Sequence, residues 1–329
     1  MKNKALIYRA FGDPLDALRL ETVDLAPRAP GTLRVEMALV PINPSDLIPV
    51  TGAYSHLIKL PMVAGYEGLG RVVEADDPAL LGRRVLPLRG PGTWQRFVDC
   101  DPALAVSVPD DFDDPVAARG YINPLAALRM LTRWPVRDRR VLLSAAGSSC
   151  ATLLGHWALL QGAREVVGLY RSEGRVERMR SLGITPLHQG KADAVRDAAR
   201  SADVIYDAVG GRLGSLLLNE MRDGSVFVGY GLLSGEPVTP DGFPRAAFER
   251  FHLRDDLAAM SAADWQGEFD RLWPLLRKVT FPKAEIFPLE RWREAIAAFH
   301  VPGAAKPLID FSAEQGDLRV STIISAKTG

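Results

Sequence analysis

Residues 138–171 read DRRVLLSAAGSSCATLLGHWALLQGAREVVGLYR. An apolar strand-like run ends in small residues, a helix-like run with a glycine stop follows, and a second apolar strand closes the unit. Strand, helix and strand in that order and length fold as a crossover, with two parallel strands and the helix packed on the sheet. The ending of a strand in glycine recurs in SADVIYDAVGG and DGSVFVGYG. Together these predict βαβ units and a doubly wound parallel sheet over about 118–261, with its ligand crevice beyond the carboxyl ends of the strands.

The text before about residue 115 has another rhythm. KALIY, LRVEMALV, GLGRVVEA and RRVLPL are short β-rich runs separated by turns such as GDP, APG and RGPGTW, which reads as an antiparallel, barrel-like half. After about 262 come a helix (WQGEFDRLWPLLRKV), a strand near EIFPL, a helix (ERWREAIAAF) and a strand near KPLIDF. These are expected to complete the first half, giving an α/β chain divided into 1–117 with 262–329, and 118–261.

Composition narrows the function classes. The 329 residues are 47% hydrophobic and 24% charged, ordinary for a globular chain of about two domains. Lys+Arg and Asp+Glu both number 40, so no overall field favours nucleic acid or an anionic membrane. No apolar run approaches the roughly 18 residues of a spanning helix. MKNKALIYRAFGDP enters a strand pattern directly, and Cys100 and Cys150 are the only cysteines. A reducing, cytoplasmic location is expected from these features.

LLSAAGSSCATLLGHWALL places Gly147, Ser148, Ser149, Cys150 and Ala151 where a strand turns into a helix, so backbone N–H groups and the helix dipole face a possible pyrophosphate. The glycine fingerprint is eroded, since Gly147 is its only glycine. At the end of the next strand, 24 residues beyond Gly147, stands Arg171. An acidic residue there would suit a ribose hydroxyl, whereas arginine suits the 2′-phosphate of NADP. Arg175 and Arg178 are candidates for further charge.

A zinc alcohol dehydrogenase needs thiolate, imidazole and carboxylate ligands converging on the metal. INPSD has Asn43 and AGYEG has Tyr66 where such ligands would be wanted, and Cys100 has no CxxC companions. No metal site is expected, and an activated double bond becomes the favoured hydride acceptor.

INPSDLIPVTGAY, LPMVAGYEGLGRVV, GPGTWQRFV and YINPLAALRML, in that order, resemble the medium-chain dehydrogenase/reductase superfamily and its zinc-free 2-enoyl thioester reductase branch. The resemblance implies a GroES-like catalytic domain around a Rossmann NADPH domain, an active site between them and a homodimer. It places the catalytic tyrosine on Tyr54 of TGAY. It places cofactor contacts on Asn123, Gly147, Ser148, Ser149, Cys150, Arg171, Ser172, Tyr230, Gly231 and Lys306. Asp256, Leu257 and Ala258 fall where the branch carries aromatic residues. Asn43 and Trp94 are candidate substrate contacts. In their bland readings, Asn43 and Asp46 shape the INPSD turn and Trp94 packs a core.

The expected reaction is transfer of hydride from NADPH to the β-carbon of a small-molecule enoyl thioester, with Tyr54 donating to the enolate or protonating the α-carbon. One rival is an NADPH:quinone reductase of the same superfamily. Another is a reductase-like binding protein without catalysis, favoured by the eroded glycines and the Asp255–Asp256 pair. His56 is expected to be solvent-exposed and without a role.

Overall fold

The computed structural model describes residues 1–312 apart from Tyr54, Pro91 and Pro302. Its strands are β1 (Lys2–Tyr8), β2 (Leu18–Asp24), β3 (Leu33–Pro41), β4 (Met62–Val63), β5 (Leu69–Glu74), β6 (Arg84–Pro87), β7 (Phe97–Cys100) and β8 (Ala105–Ser107). They continue with β9 (Arg140–Leu143), β10 (Glu165–Tyr170), β11 (Thr185–His188), β12 (Val204–Asp207), β13 (Val226–Gly229), β14 (Ala247–Arg250), β15 (Ala284–Pro288) and β16 (Lys306–Asp310).

The middle of the chain forms a six-stranded sheet in the order β11-β10-β9-β12-β13-β14, and every neighbouring pair is parallel. Renumbered from β9, that order is 3-2-1-4-5-6, the Rossmann arrangement. Its strand order reverses between β9 and β12, so the crevice opens beyond Leu143 and Asp207. Both faces of the sheet are covered. Val141 and Leu143 pack into one core cluster, and the intervening Leu142 into another with Leu169, Ile205 and Phe227. This alternation follows from the period-two pleat of a strand buried on both sides.

The first half forms a three-stranded sheet, β2-β1-β4, and a larger one, β15-β16-β3-β5-β6-β8, in which β7 also pairs with β3. Pairing is antiparallel except between β15 and β16. The two sheets meet where Leu6 donates to the Trp94 carbonyl, Trp94 to Ala64 and Ala64 to Leu6, all at 2.9 Å. Near the C-terminus, Leu308, Ile309 and Asp310 of β16 pair with Pro41, Val40 and Leu39 of β3.

Helix Ala262–Leu276 spans the two parts. Its Trp265 indole donates to the Leu104 carbonyl at 2.9 Å and Gln266 to Ala103 and Ala105. Its Glu268 receives Arg129, from helix Ile122–Arg133, at 3.0 Å. Trp265 and Phe269 are fully buried there against Tyr121.

Candidate active site

At the end of β9 the chain makes the tight turn expected before a nucleotide-binding helix. Ala145 adopts φ +45°, a left-handed conformation usually left to glycine. Gly147 follows, and Ser148 caps helix Ser149–Leu160 by accepting from the Ala151 N–H. The N–H groups of Ser149 and Cys150 thus lie in a first turn that lacks intrahelical acceptors. Glycines outside the fingerprint provide the close packing it normally gives. A Cβ on Gly155 would lie 2.7 Å from Ile184 and 2.8 Å from Leu143, and one on Gly168 would lie 2.6 Å from Ala146.

Across the crevice, buried Asp207 ends β12. Ser144 donates to it at 2.5 Å, and the Gly210 and Val209 N–H groups at 2.7 and 3.1 Å. Burial raises its pKa against those bonds. Gly231 is pressed against this strand end: a Cβ there would stand 2.6 Å from the Ala208 carbonyl oxygen. Beside it the Tyr230 hydroxyl is buried facing Cys150 and Ser148, and burial holds its pKa well above that of an ordinary phenol. Gly147, Ser148, Ser149, Cys150, Tyr230 and Gly231 are therefore gathered at the strand ends that border the crevice. Arg171 and Ser172 sit exposed just past β10.

The second part of the site is a buried polar network. Asn43 precedes the short helix Pro44–Leu47, and its N–H donates to Asp46 at 2.8 Å; the other Asp46 oxygen accepts from Tyr66 N–H at 2.9 Å. The Asn43 side chain donates to Glu67 Oε2 at 2.8 Å, while its Oδ1 accepts from Asn123 at 3.0 Å and from Lys306 at 2.8 Å. Glu67 Oε1 accepts from the N–H groups of Tyr121 and Ile122, both at 2.8 Å, and so caps helix Ile122–Arg133 from another element. Burial pushes Asp46 and Glu67 up and Lys306 down, and the opposite charges facing one another restrain both shifts.

The network thus brings Asn43, Asn123 and Lys306 together, and Asp46 has the turn-shaping role anticipated for it. Asn43 is only 1% exposed and every polar side-chain atom is engaged within the network. Trp94 packs as its bland reading expected. It is 0% exposed in the first-half core and packs so tightly on Gly65 that a Cβ there would lie 2.1 Å from the indole. Tyr54 lies outside the described residues. His56 is exposed.

Glu67 was missed in the sequence, although a carboxylate directly before the apolar strand of YEGLGRVV was a signal of a buried, paired charge. Arg254 was missed as well. Its guanidinium stacks 3.7 Å above the Tyr66 ring. Asp256 turns instead to Arg129 at 2.6 Å, while Leu257 is buried and Ala258 exposed. Among the described residues no group of three or more His, Cys, Asp or Glu side chains is placed to hold a metal ion.

Residues 29–110 match the alcohol dehydrogenase GroES-like domain family. The mitochondrial enoyl-[acyl-carrier-protein] reductase of Xenopus tropicalis is 31% identical over 264 residues, covering 72% of each chain. The chain belongs to the medium-chain dehydrogenase/reductase superfamily, in its enoyl-reductase-like branch. Among solved structures, a putative NADPH:quinone reductase from Bacillus thuringiensis superposes on this superfamily member with a TM-score of 0.88 and 31% identity, over 94% of this chain and 99% of that one. The mitochondrial 2-enoyl thioester reductase Etr1p/Etr2p heterodimer from Candida tropicalis shares the fold at a TM-score of 0.78 and 19% identity, over 94% of this chain and 100% of that one.

Proposed function

We propose that the protein is an NADPH-dependent reductase of an activated carbon–carbon double bond, with a 2-enoyl thioester as substrate. The observation that carries this reading is the junction at Asn43. Asn123, at the start of the helix that leads into the Rossmann part, and Lys306, at the start of β16, both bond Asn43 of the INPSD motif. The crevice side and the segment that leads to Tyr54 therefore converge on one centre. Relatedness to an enoyl reductase at 31% identity gives the same direction.

The residues present fit the cofactor. Gly147 and the first-turn N–H groups of Ser149 and Cys150 suit a diphosphate, and exposed Arg171 suits a 2′-phosphate. Lys306 and Asn123 each keep hydrogen-bonding capacity beyond their bond to Asn43. When bound, NADPH supplies the hydride that reduces the β-carbon. Tyr54 donates a hydrogen bond to the enolate oxygen or protonates the α-carbon. A phenol of ordinary pKa, about 10, is protonated at neutral pH and so serves as donor or acid. The buried network fixes the backbone of the INPSD turn, from which the segment to Tyr54 starts.

The Bacillus thuringiensis neighbour favours a second reading, NADPH:quinone reduction. Steady-state oxidation of NADPH with a crotonyl thioester and with a benzoquinone separates them. Higher kcat/KM with the thioester is expected; turnover with the quinone alone would reject the enoyl assignment. Absence of NADPH binding at tens of micromolar would reject both and leave a binding protein without catalysis.

We also propose a homodimer formed through the Rossmann part. Among the described residues β14 pairs only with β13, and Phe248 on it is exposed, as are Leu232, Leu233 and Phe243. An unpaired edge with apolar neighbours is a surface that a second copy can cover. Sedimentation at micromolar concentration would show a monomer if that is wrong. Its two cysteines are free thiols, in keeping with a cytoplasmic location; the Xenopus relative is mitochondrial by name, and fractionation decides between compartments.

A further inference from the structure

The turn after β10 carries a cation into the crevice that the glycine fingerprint does not include. Arg175 lays its stem across Gly147: a Cβ on that glycine would meet Arg175 Cδ at 3.2 Å and Cβ at 3.3 Å. Its head reaches out of the Rossmann part, where Nη2 donates to the Ala304 carbonyl at 2.7 Å. The neighbouring Gly174 backs onto Gly303, with 3.8 Å between a Cβ on the first and the Cα of the second. Two residues beyond Ala304 is Lys306, bonded to Asn43.

Arg175 has no carboxylate partner among the described residues. Its surroundings are half-buried and positive. Burial lowers its pKa, and Arg178 is lowered by burial and then by the Arg175 charge. A guanidinium held half out of water on one carbonyl, with a second cation beside it, is costly unless an anion joins it. A guanidinium has five N–H donors in a planar fork, and the bond to Ala304 uses one of them.

We propose that Arg175 is a diphosphate clamp, holding the bound dinucleotide at Gly147 with one edge of its guanidinium and the 303–306 segment with the other. This rests on the NADPH reading above and goes beyond it. The clamp substitutes a side-chain cation for the missing glycines, and it ties nucleotide occupancy to the segment that positions Lys306. It grips a group that NADPH and NADH share, so it strengthens both, whereas Arg171 discriminates between them.

Arg175→Met keeps a stem over Gly147 and removes the charge; Arg175→Lys keeps a charge without the fork. The test measures Kd for NADPH and for NADH by fluorescence titration, and backbone deuterium exchange of residues 303–306 with and without NADPH. We expect the Met variant to bind both nucleotides about 10- to 100-fold more weakly, the scale of one charge-assisted bond or slightly more. The Lys variant should recover much of that loss. NADPH should slow exchange at 303–306 in the wild type and not in the Met variant. Unchanged Kd in the Met variant, a loss confined to NADPH, or protection of 303–306 equal to the wild type would each overturn the clamp alone. A wild type that binds neither nucleotide would overturn the clamp together with the function it rests on.

Discussion

Replacing Glu67 with glutamine tests whether the Asn43 network is built as described. Glu67 is 1% exposed and accepts three hydrogen bonds, two on Oε1 from Tyr121 and Ile122 N–H and one on Oε2 from Asn43 Nδ2, all at 2.8 Å. Glutamine has one oxygen. If that oxygen keeps the two backbone donors, its NH₂ faces the Asn43 NH₂. If Asn43 flips to present its oxygen, the same atom abandons Asn123 and Lys306, so two bonds fail instead of one. The smaller loss sets two buried amide donors against each other, at least about 1–3 kcal/mol, or roughly 1.5–4 °C or more in Tm for a chain of this size.

Proton linkage gives that loss a pH signature. Burial raises the native pKa of Glu67 above its usual 4.5, so the folded protein keeps this proton at pH values where the unfolded chain has released it. Wild-type stability relative to Glu67→Gln is therefore greatest below pH 4.5 and declines as pH rises through the native pKa. A protonated carboxyl oxygen still accepts from Asn43, which an amide nitrogen does not, so the variant's deficit is largest at the acid end. Urea unfolding at pH 5 and pH 8 reads both quantities. A variant as stable as wild type at pH 5, or a gap that widens toward pH 8, would refute the reasoning.

Three further outcomes are expected. Tyr54→Phe should lower turnover about 10²- to 10³-fold, the usual effect of removing one donor to a developing oxyanion, with NADPH Kd unchanged; wild-type turnover would remove Tyr54 from the chemistry. Gly231→Ala forces a Cβ to 2.6 Å from the Ala208 carbonyl, so it should cost about 1–3 kcal/mol and weaken NADPH binding, and an unchanged melting curve would show that the two strand ends are not in contact. Burial pushes Cys100 and Cys150 to about 12, leaving about one thiolate in ten thousand at pH 8. A disulfide reagent should accordingly titrate two thiols only after unfolding, and fast reaction of the native protein would contradict the raised pKa of both.

The parallel sheet was legible because strands buried on both faces read as short apolar runs ending in glycine: RVLL, EVVGLY, VIYD and VFVG were all visible in this way. β11 and β14 were not. TPLH is only half-buried and AFER mostly exposed, so neither carries the apolar signal that a central strand must. Those are the sheet's two edges, where burial asks less of the side chains. In the candidate site, INPSD and GlySerSerCys stood out because small residues and turn formers mark local backbone geometry. Glu67 stayed hidden because its partners, Asn43, Tyr121 and Ile122, come from segments far apart in the chain.

By itself the sequence determined the period of each element, the crossover order and the small residues that let a helix begin at Gly147, since these depend on steric and hydrophobic properties of neighbours along the chain. Only the tertiary structure decided the rest. It buried Trp94 in the first-half core, made Asn43 a hub joining Glu67, Asn123 and Lys306, and laid Arg175 between Gly147 and Ala304. The physical reason is that the cost of a buried polar or charged group is set by partners distant in sequence, and local pattern does not name them.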